Sequence, residues 1–134
     1  MQTILNISEA AAIALHSADY LAGRGRLCSA HEIAGALKVS YNHLSKVLQS
    51  LTRAGLVSPV RGPRGGFELS PSGRKASLKD IMAAIDGPIR PQACLMGHKV
   101  CRHRNCVFGR FLAETNRRFD KVLAGKISDL SKRA

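Results

Sequence analysis

Apolar residues recur at helical spacing in several stretches of the chain, and serines stand where those stretches begin. The first stretch covers residues 8–22 and begins with Ser8, and a second stretch begins after Ser29. Ser40 precedes a third stretch with an apolar stripe at i, i+3, i+4 and i+7, and Gly55 follows at the position of a helix-ending glycine. That stripe consists of Leu44, Val47, Leu48 and Leu51. The pattern predicts three consecutive helices.

A short helix, a tight turn and a longer amphipathic helix are typical of a helix-turn-helix. Two short β-prone runs follow, Leu56–Val60 and Phe67–Leu69, separated by the basic, glycine-rich RGPRGG segment. A plain hairpin loop is the alternative interpretation. The sequence predicts a mainly α protein with a small β-hairpin wing. This is a winged helix-turn-helix, and a long C-terminal dimerisation helix follows it in the chain.

The second half of the chain predicts two more helices with an irregular stretch between them. Ser77 begins a helix that extends to about Ile85, where Asp86-Gly87-Pro88 ends it. Helical periodicity returns from Val107 to Leu123, with an apolar row formed by Phe108, Phe111, Leu112, Thr115, Phe119 and Val122. So long an apolar face exceeds what one small domain needs, so we predict a dimerisation helix; an ordinary core helix is the alternative.

These patterns predict three regions. They are a DNA-binding region over residues 1–87, a cysteine-bearing loop over 88–106, and a dimerisation helix and tail over 107–134. Long loops within compact domains are usually functional or disordered, so the middle region is a candidate for a functional segment.

The charge of the chain indicates a polyanionic partner. Lys and Arg number 21 against 9 Asp and Glu, which gives a net charge of +12. Such an excess favours nucleic acid or an anionic membrane surface. The longest apolar run, Ala10 to Leu15, is too short to span a bilayer, and the first residues do not resemble a signal peptide. We therefore expect a cytoplasmic protein that binds double-stranded DNA and no membrane.

The N-terminal end of a recognition helix enters the major groove of DNA. The candidate DNA-binding residues there are Ser40, Tyr41, Asn42, His43, Ser45 and Lys46. Asn pairs well with adenine, and Lys suits guanine. Arg61 and Arg64 at the tip of the wing are expected to meet the phosphate backbone or the minor groove. A solvated helix face is the alternative interpretation.

Cys94, Cys101 and Cys106 follow each other at C-x6-C-x4-C spacing. Zinc knuckles usually use tighter C-x2-C pairs, so this spacing favours a larger object, an iron–sulfur cluster. The candidates for a fourth ligand are His98, His103, Glu9 and His16. A zinc site and a thiol switch remain open. Cys28 stands apart from the cluster and is interpreted as a small buried residue.

An enzyme is the rival from another class, for example a thiol oxidoreductase built on Cys101 and Cys106. The chain has no C-x-x-C motif and no βαβ pattern. We therefore predict a protein that is not an enzyme. A structural zinc module acting as an adaptor is a third possibility.

The run from Val39 to Ser70 with its VRGPRGG wing, the following LKDIMAAID helix and the three trailing cysteines resemble one family over nearly the whole chain. It is the family of bacterial winged-helix iron–sulfur regulators that includes IscR and NsrR. Its members are homodimers that bind pseudo-palindromic promoter sites. The resemblance implies that Cys94, Cys101 and Cys106 hold a 2Fe–2S or 4Fe–4S cluster.

The same resemblance bears on the recognition helix and on the fourth ligand. Asn42, His43 and Lys46 resemble the NsrR type of recognition helix. Gly109 stands where IscR-like proteins carry a His, and Ala12 stands where NsrR-like proteins supply a carboxylate. One turn from Ala12 lies His16, which is the predicted fourth ligand, supplied by the partner subunit.

The function that the resemblance implies is a repressor whose promoter binding is gated by the cluster. The signal would be nitric oxide, redox state or iron–sulfur status. A cluster-free thiol-switch regulator or a zinc-containing regulator of the same fold is the alternative.

Overall fold

The computed structural model of the protein describes residues 7–92, 94–95 and 106–130. Within them the chain forms seven helices and one two-stranded sheet. The elements in chain order are α1 (Glu9–Arg24), α2 (Ala30–Leu37), α3 (Tyr41–Arg53), β1 (Val57–Val60), β2 (Gly66–Leu69), α4 (Pro71–Lys75), α5 (Leu78–Asp86), α6 (Val107–Leu123) and α7 (Ile127–Leu130). The mainly helical class with a hairpin wing is confirmed.

Serine side chains begin the predicted helices. Ser8, Ser29, Ser40 and Ser77 each accept a hydrogen bond from the backbone N–H three residues further on. Each bond satisfies one of the N–H groups that a helix leaves without an intrahelical partner. At Ser77 the bond is reciprocal, because the Asp80 carboxylate accepts from the Ser77 N–H. The starts of these four helices lie where the sequence predicts them.

The core forms around α1, which packs against α2, α3, α5, α7 and β2. The positions predicted to face inward are buried, and on α3 they are Leu44, Val47, Leu48 and Leu51. Leu123 and Ile127, from the C-terminal region, are buried in the same core. The C-terminal helices therefore share a core with the helix-turn-helix, while the division into three regions stays a prediction.

The wing is an antiparallel hairpin in which Val57 pairs with Leu69 and Val60 with Gly66. Its strand β2 is joined to the segment before α2 by Cys28, which exchanges backbone hydrogen bonds of 3.0 and 2.8 Å with Phe67. A Cβ on Gly66 would lie 2.7 Å from the Cys28 carbonyl oxygen, so this close approach requires a glycine. The wing is thus fixed to the segment that leads into α2.

The apolar row predicted along α6 divides into two adjacent stripes. Phe119 packs against the core and Leu123 is buried in it. The other stripe remains uncovered in the single chain, with exposed fractions of 75% for Val107, 54% for Phe108, 58% for Phe111 and 64% for Val122. The predicted helix is confirmed, and part of its apolar surface serves the core of the same chain.

Candidate nucleic-acid interface and cysteine segment

The outward side of α3 carries a polar stripe opposite its buried face. Asn42 and Lys46 are exposed and lie one turn apart, and Gln49 and Arg53 continue the stripe. Among the other predicted residues of this helix, His43 and Ser45 are half-buried. The helical period thus places amide and amine groups in one row, which is the arrangement that base-edge hydrogen bonds need.

Ser40 has a structural task at the start of α3. Its hydroxyl oxygen accepts a 3.1 Å hydrogen bond from the His43 backbone N–H. One of its acceptor positions is therefore occupied by the helix itself, although the residue is exposed. Its hydroxyl proton remains able to donate, for instance to a phosphate oxygen.

Tyr41, in the first turn of α3, is 45% exposed. Its ring stacks on the imidazole of His31 from the first turn of α2, with ring centroids 4.1 Å apart. The contact joins the N-terminal ends of the two helices, which each leave backbone N–H groups free for an anion. His31 is absent from the residues predicted from the sequence.

The tip of the wing is a turn in which the Gly65 N–H donates to the Gly62 carbonyl at 2.9 Å. Gly62 has φ of 114°, which a residue with a side chain rarely adopts, and a Cβ on Gly65 would meet the Val60 carbonyl oxygen. The turn leaves Arg61 and Arg64 exposed. Two cations thus stand at the end of a short hairpin.

A polar network holds α2 against α1. The Arg26 guanidinium donates to both carboxylate oxygens of Glu32, at 2.7 and 3.2 Å, and the Tyr20 hydroxyl donates to Glu32 at 3.0 Å. The hydrogen bonds from Arg26, and next from Tyr20, hold the pKa of Glu32 below its usual value. Glu32 therefore stays charged and keeps the segment before α2 in place.

The residues Gln49 and His31 lie on this surface but are not among the DNA-binding residues predicted from the sequence. Gln49 lies three positions after Lys46 and seven after Asn42, so the helical period alone could have indicated it. No local signal indicates His31, because its stacking partner lies in another helix.

The cysteines differ in environment. Cys94 is a half-buried free thiol and Cys106 is an exposed one that directly precedes α6 without capping it through its side chain. Cys101, His98 and His103 lie outside the described residues. Cys28 is fully buried, and this burial raises the pKa of its thiol, so it is a poor ligand or nucleophile.

Two of the three predicted cysteine ligands lie among the described residues, and they are of the residue type that holds iron–sulfur clusters. Cys94 and Cys106 are both free of disulfides and supply the soft thiolates that such clusters use. Gly109 stands one turn after Cys106 and offers no side chain there. His16 and Glu9 are exposed on α1. Within residues 7–92, 94–95 and 106–130, no three His, Cys, Asp or Glu side chains gather closely enough to hold a metal ion.

A search of the described helices for membrane spans finds none that is both long and apolar enough to cross a bilayer.

A family profile described as Rrf2, iron-dependent transcriptional regulator, matches residues 7–132 of the chain. The HTH-type transcriptional regulator BadM of Rhodopseudomonas palustris is 42% identical over 68 residues, which are 51% of this chain and 44% of that protein. An HTH-type transcriptional regulator of Aquifex aeolicus is 37% identical over 94 residues, 69% of this chain and 65% of its own. The matched segments thus span less than two thirds of these relatives.

The fold is also found in a solved structure, that of CymR, the global cysteine regulator of Bacillus subtilis. The two chains superpose with a TM-score of 0.78 at 24% identity, over 96% of this chain and 97% of that one. At this identity the likeness shows that the two proteins share a fold.

Proposed function

Because the chain belongs to the Rrf2 family of helix-turn-helix transcriptional regulators, we propose that it binds promoter DNA as a homodimer and that its cysteine segment controls this binding. The cysteine segment is residues 88–106. The observation that carries the DNA-binding part is the exposed polar stripe of α3, together with the two exposed arginines of the wing tip.

Each part of this surface has a role in the proposal. Asn42 and Lys46 read base edges in the major groove, and Gln49, whose amide suits adenine, extends the same row. Arg61 and Arg64 bind phosphates on the flanking backbone or enter the minor groove. Ser40, Tyr41, His43 and Ser45 lie nearer the start or the sides of α3 and contact phosphates.

The uncovered stripe of α6 supports the proposed homodimer. Val107, Phe108, Phe111 and Val122 are more than half exposed in the single chain, which is unusual for large apolar side chains in a row. A second copy of the chain would cover this stripe across a two-fold axis. The same axis would present two α3 helices to a pseudo-palindromic site.

We assign the cluster to Cys94, Cys101 and Cys106, with His16 of the partner subunit as the fourth ligand. A bound iron–sulfur cluster supplies a redox-active, labile centre. The protein supplies three thiolates on a segment between α5 and α6 and an exposed imidazole on α1. The NsrR-type recognition helix, the repressor role and the signal stay predictions from the resemblance.

The gating mechanism uses the position of the segment in the chain. The cysteine segment connects α5, which packs against α1 and α3, to α6, the proposed dimer helix. A change in the ligation of the cysteines alters how α6 is held and therefore the spacing of the two α3 helices. Such coupling is reciprocal, so DNA also stabilises the state that it prefers.

A thiol switch is the second candidate, because Cys106 is an exposed free thiol. In that case two cysteine thiols would form a disulfide and release two protons, while their two electrons pass to an oxidant such as a peroxide. DNA binding would then follow the disulfide without iron.

Anaerobic purification with iron, sulfide and zinc analysis separates these candidates. The proposal predicts visible absorbance that is lost when Cys94, Cys101 or Cys106 is changed to Ser and kept in the control Cys28→Ser. Zinc without iron would favour the zinc alternative, and the absence of both metals would contradict the cluster and favour the thiol switch.

Salt dependence tests DNA binding independently of the cluster. Each phosphate contact contributes a slope of about −0.9 in log affinity against log salt, so roughly eight contacts would lower the affinity about ten thousandfold between 50 and 200 mM salt. A flat salt dependence would contradict the proposed interface.

A further inference from the structure

We infer that Asn116 on α6 is a positioning residue for Cys94, through a hydrogen-bond clasp on the backbone just before that cysteine. The Asn116 side-chain amide donates to the Gln92 carbonyl oxygen at 3.0 Å. The Gln92 side-chain amide in turn donates to the Leu95 carbonyl oxygen at 3.3 Å. The second bond spans Cys94 in the chain, and the first attaches Gln92, two residues before Cys94, to α6.

The beginning of the same segment is attached elsewhere. At the end of α5, the Asp86 carboxylate accepts a 2.5 Å hydrogen bond from the Ser8 hydroxyl at the start of α1. Ile89, three residues on, packs against the core. The chain is therefore fixed to α1 at Asp86, just before the segment begins, to the core at Ile89, and to α6 at Gln92.

The bond joins Asn116 to Gln92 across 24 positions of the chain, so fixing Gln92 in this way costs more conformational entropy than a local contact would. It also requires a donor, because a carbonyl oxygen can only accept. Asn supplies that donor, whereas Asp, of nearly the same shape, presents only acceptor oxygens at neutral pH. The substitution Asn116→Asp therefore removes the hydrogen bond to Gln92 with little change in side-chain volume.

The consequence is that α6 positions both described thiols of the cysteine segment. Cys106 directly precedes α6, and Cys94 is held to it through Asn116. A change in the ligation or oxidation of either cysteine would therefore act first on α6, the helix that carries the exposed apolar stripe. This consequence rests on the proposed function, whereas the clasp itself concerns the metal-free chain.

Site-resolved alkylation tests the clasp in the full-length, reduced, metal-free protein. Iodoacetamide is added at fixed pH, and the modification of each cysteine is followed by peptide mass spectrometry. Asn116→Asp and Asn116→Ala should raise the Cys94 rate by about fivefold, the effect of one hydrogen bond on a local opening equilibrium. The rates at Cys106 and buried Cys28 should stay unchanged.

The matched control is Asp120→Asn, one turn further along α6, which weakens the 3.8 Å ion pair between Asp120 and Lys79 of α5. It should leave the Cys94 rate unchanged, because it loosens α6 without touching the clasp. An unchanged Cys94 rate in both Asn116 variants, or an equal rise at all cysteines, would overturn the inference. Iron content decides the cluster proposal separately, so the two failures are distinguishable.

Discussion

The imidazole ring of His31 lies nearly parallel to the phenol ring of Tyr41, with an interplanar angle of 13° and 4.1 Å between centroids. The pair links α2 to the first residue of α3, beside the stripe proposed to read DNA. Stacked aromatic pairs contribute about 0.5–1.5 kcal/mol beyond the area that they bury. The stack therefore holds the exposed Tyr41 ring in one orientation at the edge of the proposed interface.

His31→Ala should weaken DNA binding by about 0.5–1.5 kcal/mol, because the Tyr41 ring loses its stacking partner. Fluorescence anisotropy with a duplex enriched from a random pool by this protein measures the change. His31→Phe is the matched variant, since it keeps an aromatic ring at the same position, and it should retain most of the affinity. Equal losses in both variants would show that the imidazole itself contacts DNA and that stacking is not the cause.

Asn42 and Arg61 should affect binding in different ways. Asn42→Ala should cost about 1–3 kcal/mol on the enriched duplex and little on random DNA, because a base contact discriminates. Arg61→Ala should weaken binding to both duplexes alike, since a phosphate contact carries no sequence information. Competition titrations with the two duplexes measure both effects. If Asn42→Ala keeps full discrimination, a different part of α3 reads the bases.

Phe111→Glu should convert the dimer to a monomer, because a carboxylate would be buried against an apolar partner surface. Light scattering at fixed protein concentration reports the mass. Ala113→Glu is the control: it adds the same charge at an exposed position on the opposite side of α6. A Phe111→Glu protein that remains dimeric would place the dimer interface on another surface.

Ser17→Ala should stabilise the protein. Ser17 is fully buried on α1, and among the described residues its hydroxyl has no hydrogen-bond partner. Removing an unpaired buried hydroxyl should gain about 1 kcal/mol, in addition to the better helix propensity of Ala. Ser50→Ala controls for propensity, because the Ser50 hydroxyl donates to the Lys46 carbonyl. Urea unfolding that gives equal midpoints for the two variants would contradict this explanation.

The helices α1, α2, α3 and α5 are predictable because their signals are local. A serine begins each of α1, α2, α3 and α5, and the apolar period identifies the buried side. The short α4 also begins at a serine, Ser70, but its five residues have no such apolar period. Its buried residue is Gly73, where a Cβ would clash with the Leu56 carbonyl oxygen, so its place depends on tertiary packing.

The candidate site also combines features that local sequence signals predict with features that they do not. Asn42, Lys46, Arg61 and Arg64 lie on exposed surface as the sequence indicates, because the helical period and the turn residues fix where they point. The His31–Tyr41 stack and the Asn116 clasp each join residues from different elements. No periodicity within one element encodes such pairs, so they emerge only from the folded chain.

In the proposed mechanism, the ligation state of the cysteine segment sets the affinity of the protein for DNA. The direct measurement is the dissociation constant of the anaerobically isolated protein for its enriched duplex, before and after its metal is removed under reducing conditions. The account predicts a change of about tenfold or more, within the range of allosteric couplings, and no such change in Cys94→Ser. Equal dissociation constants for the iron-loaded and the metal-free protein would contradict it.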